Sequence, residues 1–197
     1  MNFIFKEGKR ELVLLILLYY LTKNPKLILA LFLFLVLFFR APSKQIVQNR
    51  NEILSPSYGT IDSIEYYENS TKINILLNIS DVHVLYVPYP GQVKYLEHVP
   101  GNLNPYFLFS REKTDDNERF ITVLDTTLGN IVIIQYAGMI ARRIVNNLNV
   151  GEIINKGDIF GMIKFSSRVD IVLPRRCKLN VRQGDKVFGS NTILATI

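Results

Sequence analysis

Two serines stand side by side inside a strand-like run, IKFSSRVDI (163–171), with Arg168 and Asp170 close behind them. Adjacent serines more often mark a turn, so Ser166 and Ser167 raise the question of a nucleophile. A serine hydroxyl attacks poorly unless a base takes its proton. The bases on offer are His83 and His98, imidazoles that exchange protons near neutrality. Cys177 is the single cysteine. It can form no intrachain disulfide, which fits a reducing compartment, and with both histidines far off in sequence it reads as a structural or surface thiol. Two histidines and one cysteine leave a zinc site short of its usual ligands, so no metal is expected, and there is no glycine-rich phosphate loop. Strand alternation puts Arg168 and Asp170 on one face. Arg168 could meet a lipid phosphate or a substrate carboxylate, or belong to a surface ion pair.

These residues need a scaffold, and 197 residues suffice for one domain with a real core. The composition is globular, with 48% hydrophobic and 20% charged residues, and the net charge is +6. Such a charge suits either nucleic acid or an anionic lipid surface. The Arg142-Arg143 pair belongs to no longer basic run and no basic–aromatic alternation, so nucleic acid is not expected. The N-terminus points to lipid instead. Leu12–Leu21 and Leu27–Phe39 are apolar runs separated by Lys23-Asn24-Pro25-Lys26. Each is shorter than the about 20 residues a membrane-crossing helix needs. Pro25 disfavours one continuous helix, and lysines at mid-depth would be costly. The reading is a pair of short helices lying in one leaflet, with Lys6, Lys9, Arg10, Lys23, Lys26, Arg40 and Lys44 among anionic headgroups. A signal peptide would need a small-residue cleavage site, but the second run ends Phe38-Phe39-Arg40. A soluble hairpin is the remaining reading, disfavoured because Leu27–Phe39 is apolar on every side.

The expected organisation is therefore a membrane-associated segment (1–40), a linker (41–52) and a β-rich domain (53–197). Six strand-like runs recur with turn residues between them: GTIDSIEYY, KINILLNI, VHVLYVP, GQVKYLEHV, RFITVLDTT and GNIVIIQYA. Residues 137–149 have helical character, although IARRIV within them could be a strand. A weak internal repeat follows, in which LNVGEII (148–154) is echoed by LNV (179–181) and GDKV (184–187). Each copy puts glycine and an acid at a tight turn before a short strand. The fold class is mainly β (α+β): a compact sandwich or barrel of hairpins like those of biotinyl and lipoyl domains, preceded by an apolar helical hairpin. A carrier role does not follow, since no lysine lies at a hairpin tip between the copies.

Several segments, in one order, resemble the short, archaeal-type phosphatidylserine decarboxylase proenzymes. FFRAP (38–42) is similar to that family's FFRDP, and SPSYG (55–59) lies where it has SPADG. ISDVHVLYVPYPGQV (79–93) resembles its histidine segment, and Asn117-Glu118-Arg119 matches an NER triplet. IQYAGMIARRIV (134–145) and GDIFGMIKFSSRVDIVLP (157–174) are similar to QIAGFVARRIV and GERFGMIRFGSRVDLYLP.

The resemblance implies a proenzyme that cuts itself. Ser167 attacks the carbonyl of Ser166, β-elimination separates residues 1–166 from 167–197, and Ser167 becomes a covalent pyruvoyl group. The two chains stay associated, and a homo-oligomer is left open. The pyruvoyl carbonyl would then serve as the electron sink that turns phosphatidylserine into phosphatidylethanolamine. His83 would be the base and later proton carrier, while His98 has no counterpart. Two positions depart from the family. Its glycine before the cut is Ser166 here, a tolerable change because unrelated pyruvoyl enzymes cut between two serines. Its SPADG aspartate, which orients the histidine, aligns with Tyr58, and Asp62 and Asp81 are the carboxylates nearby. A phenol stabilises an imidazolium poorly. Two rival readings follow: an inactive homologue that binds phospholipid or a partner, and a membrane-anchored β-domain without a lipid substrate.

Overall fold

Lys23-Asn24-Pro25-Lys26 ends one helix and starts another, as its residue types require. In the computed structural model, which describes residues 9–42, 49, 51–104, 115–138, 144–164 and 167–197, α1 (Lys9–Thr22) stops before the break and α2 (Pro25–Phe38) begins within it. Pro25 sits in the first turn, where no intrahelical bond is lost. The Asn24 side chain caps the helix by accepting from the Leu27 N–H at 3.2 Å. Among the described residues no helix is long and apolar enough to cross a membrane. Leu14 and Leu17 of α1 and Leu29, Leu33 and Leu37 of α2 are exposed. Phe38 and Phe39 are instead buried against Met162 of the β domain.

All six strand-like runs form strands, at β2 (Gly59–Tyr66), β3 (Ser70–Leu77), β4 (Val84–Tyr86), β5 (Gly91–Val99), β6 (Arg119–Thr126) and β7 (Gly129–Tyr136). Ahead of them lies β1 (Glu52–Leu54). After them come β8 (Ile144–Asn146), β9 (Ile153–Ile154), β10 (Ile159–Ile163), β11 (Ser167–Pro174), β12 (Lys178–Leu179), β13 (Lys186–Val187) and β14 (Ile193–Thr196). They make one eight-stranded sheet, β13-β2-β3-β11-β7-β6-β5-β9, and two three-stranded sheets, β1-β14-β12 and β4-β10-β8. The fold is thus mainly β, but the barrel form of the expectation is corrected: each sheet has two open edges and none closes on itself. Within 137–149, Ile144–Asn146 is a strand held to β10. Residues 139–143, with Arg142 and Arg143, lie outside the described residues, as do Lys6, Lys44 and most of the expected linker.

The glycine–acid repeat has a structural cause. Gly151 and Gly184 both have positive φ, 89° and 90°, which glycine adopts without penalty. In each turn the acid's side chain takes a backbone N–H three residues upstream: Glu152 from Asn149 at 2.9 Å and Asp185 from Arg182 at 2.8 Å. Each turn then clips a long strand by two backbone bonds. Gly151 N–H donates to Val93 while Val93 N–H donates to Glu152, and Gly184 and Asp185 do the same with Ile61. A third copy, Gly157-Asp158, clips Val87 in the same way and lay hidden in the sequence because its flanks differ. Val93 and Ile61 each border the bulge of their strand. The eight-stranded sheet therefore reads alike from either edge.

β11 occupies the middle of that sheet. Val169, Ile171 and Leu173 join Ile73, Ile75 and Leu77 of β3 in the core, each worth roughly 1.5–3 kcal/mol when fully buried. The NER triplet has a structural role at the end of β7. Buried Asn117 accepts from the Asn104 N–H and donates to the Asn104 and Ala137 carbonyls at 2.9, 2.8 and 2.9 Å. Glu118 pairs with exposed His98 at 2.9 Å. Asn117→Leu should lower the unfolding free energy by about 2–3 kcal/mol, because it strands buried backbone groups. Glu118→Gln should change it by less than about 1 kcal/mol. Denaturant titration of the detergent-solubilised chain measures both.

Candidate active site

The site forms where β3, β4, β10 and β11 meet. β3 ends at Leu77, whose register partner is Ser167, the first residue of β11. The chain then turns through Asn78–Asp81 and enters β4. At its mouth the His83 carbonyl accepts from the N–H of Ile163, the last residue of β10, at 3.2 Å. The segments 77–83 and 163–167 are thus tied at both ends. The topology brings His83 to the short connection that holds the expected cut. Phe165 and Ser166 lie outside the described residues, and of Ser167 only the backbone is described.

The orientation of His83 comes from the backbone. Its Nδ1 lies 2.8 Å from the Asp81 carbonyl oxygen. A carbonyl can only accept, so Nδ1 carries the proton and Nε2 keeps the lone pair. That Nε2 is buried and has no hydrogen-bond partner among the described residues. Asp81 serves the imidazole through its carbonyl because its carboxylate is occupied elsewhere, accepting from the Asn78 N–H at 2.8 Å to close the turn. The phenyl ring of Phe38 stacks on the imidazole at 4.4 Å between centroids. Burial outweighs the pull of the Asp81 carbonyl and carboxylate, so the His83 pKa falls to about 4. At neutral pH the imidazole is buried and neutral, and its Nε2 lone pair meets no hydrogen-bond donor among the described residues.

Tyr58 lies elsewhere in the same corner and does a different job from the expected aspartate. It packs among Ala41, Val82, Val84 and Tyr86, edge-on to Phe188 at 5.9 Å. Burial pushes its phenol up, against Arg40 and a hydrogen bond shared with Tyr86. Gly189 makes room for both rings, since a Cβ there would come within 2.8 Å of Tyr86 and 2.9 Å of Tyr58. Asp62 falls at the bulge of β2; the carboxylate that acts on His83 electrostatically is that of Asp81.

Arg168 and Asp170 share a face as alternation requires, but the surface ion pair is corrected to a buried one. Arg168 is 1% exposed and Asp170 fully buried. Nη2 of the guanidinium donates to Asp115 and to Asp170, Nε lies 3.0 Å from Asp170 Oδ1 as an ion pair, and the group stacks on Tyr136 at 4.0 Å. Lys72 reaches the other Asp170 oxygen at 3.1 Å. The network locks the strand immediately after Ser167 to its neighbours on both sides. Sequence reasoning missed Tyr136, Lys72 and Asp115 here, and it missed Phe38 at His83. Cys177 is buried, and burial raises its thiol pKa.

A mainly β domain whose central strand begins at Ser167, with a buried histidine at the connection leading into it, is the frame in which the sequence motifs come together. The phosphatidylserine decarboxylase model matches residues 31–195, and the chain belongs to that family. It is 32% identical to a putative archaetidylserine decarboxylase proenzyme of Methanocaldococcus jannaschii, over 84% of this chain and 91% of that one. It is 39% identical to a phosphatidylserine decarboxylase proenzyme of Chlorobaculum parvum, over 85% and 80% of the two chains. A third relative, the phosphatidylserine decarboxylase proenzyme of Carboxydothermus hydrogenoformans, is 36% identical over 87% and 83%.

The lowered pKa of His83 links folding to pH. The unfolded chain takes up this proton near the ordinary imidazole value of about 6.5, whereas the folded chain takes it up only at about 4. The stability from this group is therefore complete above that upper value and lost as pH falls through the window between them, on the order of 3 kcal/mol in all. Unfolding of the uncut Ser167→Ala chain, followed across pH 7 to 4, should show this slope, and His83→Gln should flatten it.

Proposed function

We propose that the chain is made as a proenzyme, cuts itself between Ser166 and Ser167, and then decarboxylates phosphatidylserine to phosphatidylethanolamine. The observation that carries this reading is the buried Nε2 of His83, without a hydrogen-bond partner among the described residues and held beside the connection into β11. In the cut, the Ser167 hydroxyl gives its proton to Nε2 and its oxygen adds to the Ser166 carbonyl. The amide becomes an ester as the Ser167 nitrogen leaves. Loss of the Ser167 α-proton then breaks the ester, which frees a carboxylate on Ser166 and leaves a dehydroalanine. Water replaces its nitrogen, released as ammonia, with a keto oxygen, so residue 167 ends as pyruvoyl. That group supplies an electron sink for the bond to the substrate carboxyl.

The residues present fit such a group. The Nε2 lone pair has no competing partner among the described residues and can carry protons in both reactions. Arg168 reads as a positioning residue rather than a headgroup ligand, because Asp115, Asp170 and Tyr136 already engage its guanidinium. The short chain would stay bound, since β11, β13 and β14 pair with β3, β2 and β1 of the long one. Phosphatidylserine and the archaetidylserine of one relative's name share the serine headgroup that the chemistry consumes. The exposed leucines of α1 and α2 support attachment to a membrane, and the buried lone Cys177 suits a reducing compartment. The glycine–acid hairpins read as a biotinyl/lipoyl-like frame used without its carrier lysine.

Intact-mass measurement and a denaturing gel test the cut. The expected products are residues 1–166 and a 167–197 fragment with an amine-free N-terminus; a single 22.7 kDa chain unchanged on long incubation would overturn the reading. Ser167→Ala should abolish cutting, and His83→Ala should slow it by at least ~100-fold, the usual contribution of a positioned base. Tyr58→Phe should cut within about twofold of the parent, because the backbone carbonyl of Asp81 already orients the imidazole. Timed gels measure all three.

A further inference from the structure

The FFR segment at the end of α2 does more than close an apolar helix. Phe38 lies flat on the His83 imidazole, with ring centroids 4.4 Å apart and planes 33° from parallel. Phe39 meets Phe38 edge-on at 5.1 Å, and both pack on Met162, next to Ile163, whose N–H holds the His83 carbonyl. Arg40 completes the grip: its Nη2 donates to the Ser80 carbonyl at 2.8 Å and its Nη1 to the Leu37 carbonyl. Ser80 directly precedes Asp81, whose carbonyl takes the imidazole proton. One helix end thus touches the histidine ring and the turn that aims it. The rest of the same helix carries the exposed apolar residues Leu29, Leu33 and Leu37.

We infer that Phe38 and Arg40 are positioning residues for the base: the seating of α2 on the β domain keeps the His83 imidazole dry and aimed, so the helical hairpin controls the chemistry as well as the attachment. This rests on His83 being the base of the self-cut. The Phe38 phenyl covers part of the buried ring. Without it, water reaches the imidazole and the charged form becomes accessible. The charged and titratable groups around the ring are Arg40 from α2 and Asp81 from the turn, with Lys164 over the Phe39 ring and the Tyr58–Tyr86 pair behind Val82 and Val84. Arg40 disfavours the imidazolium and Asp81 favours it, so removing Phe38 alone isolates the contribution of desolvation.

The test uses the full chain in detergent micelles and two readouts. The first is the NMR titration of the His83 ring in the uncut Ser167→Ala chain, with His98→Gln to leave a single histidine. Its midpoint should lie at about 4 and should move most of the way to the ordinary value of about 6.5 in Phe38→Ala. The second is the rate of cutting at pH 5.5 relative to pH 7.5. That ratio should be near one in the parent and about tenfold lower in Phe38→Ala, because an imidazole with an ordinary pKa is only about one-tenth neutral at pH 5.5. Phe38→Tyr should keep the parent behaviour in both, and Leu33→Ala, an exposed position on the same helix, should leave both unchanged. If Phe38→Ala does not fold, Phe38→Leu takes its place and should show the same shifts at smaller amplitude. An unmoved titration in the Phe38 variant, or an equal movement in Leu33→Ala, overturns the inference. A chain that never cuts, yet shows the Phe38-dependent titration, overturns the self-processing reading and leaves the positioning role standing.

Discussion

An imidazole can take a proton from a serine only if it is neutral, aimed and within reach, and at His83 burial underlies the first two of these conditions. Exclusion of water pushes its pKa to about 4, so the neutral form prevails throughout the physiological range. In the same buried space the hydrogen bond from Nδ1 to the Asp81 carbonyl sets both the tautomer and the ring direction, strengthened by the low local dielectric. The turn that offers this carbonyl is closed by the Asp81 carboxylate on the Asn78 N–H. The neighbouring residue is gripped by Arg40, and the ring itself is covered by Phe38. Each of these contacts is ordinary; their convergence on one side chain makes the site.

A backbone that cuts itself, as proposed between Ser166 and Ser167, must also keep the new chain end in place. β11 serves this purpose by lying at the centre of the large sheet, paired along its length with β3 and over most of it with β7. The first side chain after the cut, Arg168, is anchored to two carboxylates and an aromatic ring. A buried ion pair of this kind adds little net stability, because desolvation offsets most of the attraction. Its value here is geometric: it fixes the strand end that follows the proposed cut.

The replacement of an expected aspartate by Tyr58 looks like a lesion only while the carboxylate is assumed to be the sole means of holding the histidine. In this chain the orienting acceptor is a main-chain oxygen two residues away, an atom every sequence possesses. Tyr58 has joined an aromatic cluster with Tyr86 and Phe188, for which Gly189 leaves space. Its phenol is kept neutral by burial. The departure therefore changes how the corner is packed, while Nδ1 of His83 stays held by the Asp81 carbonyl.

What could be read from the sequence followed local rules. Apolar runs interrupted by Asn24 and Pro25 define two short helices, alternation defines the six strand runs and the Arg168–Asp170 face, and glycine before an acid defines tight turns whatever lies around them. The SSRVD run and the DVH triplet mark Ser167 and His83 through their resemblance to the family's segments. Other properties stayed hidden because they depend on residues far apart in the chain. No pattern around residue 83 reveals that Phe38 covers it, and no pattern around 168 reveals Tyr136 and Asp115. The third glycine–acid turn at Gly157 was masked by unlike flanks, and the open sheet edges were invisible because strand runs do not declare their partners. Backbone preference is a property of a few neighbouring residues, so the sequence alone determined the elements and singled out the candidate side chains. Burial and hydrogen-bond partnership belong to the packed chain, so only the tertiary structure decided which atom aims His83, what keeps it dry and what holds β11 in place.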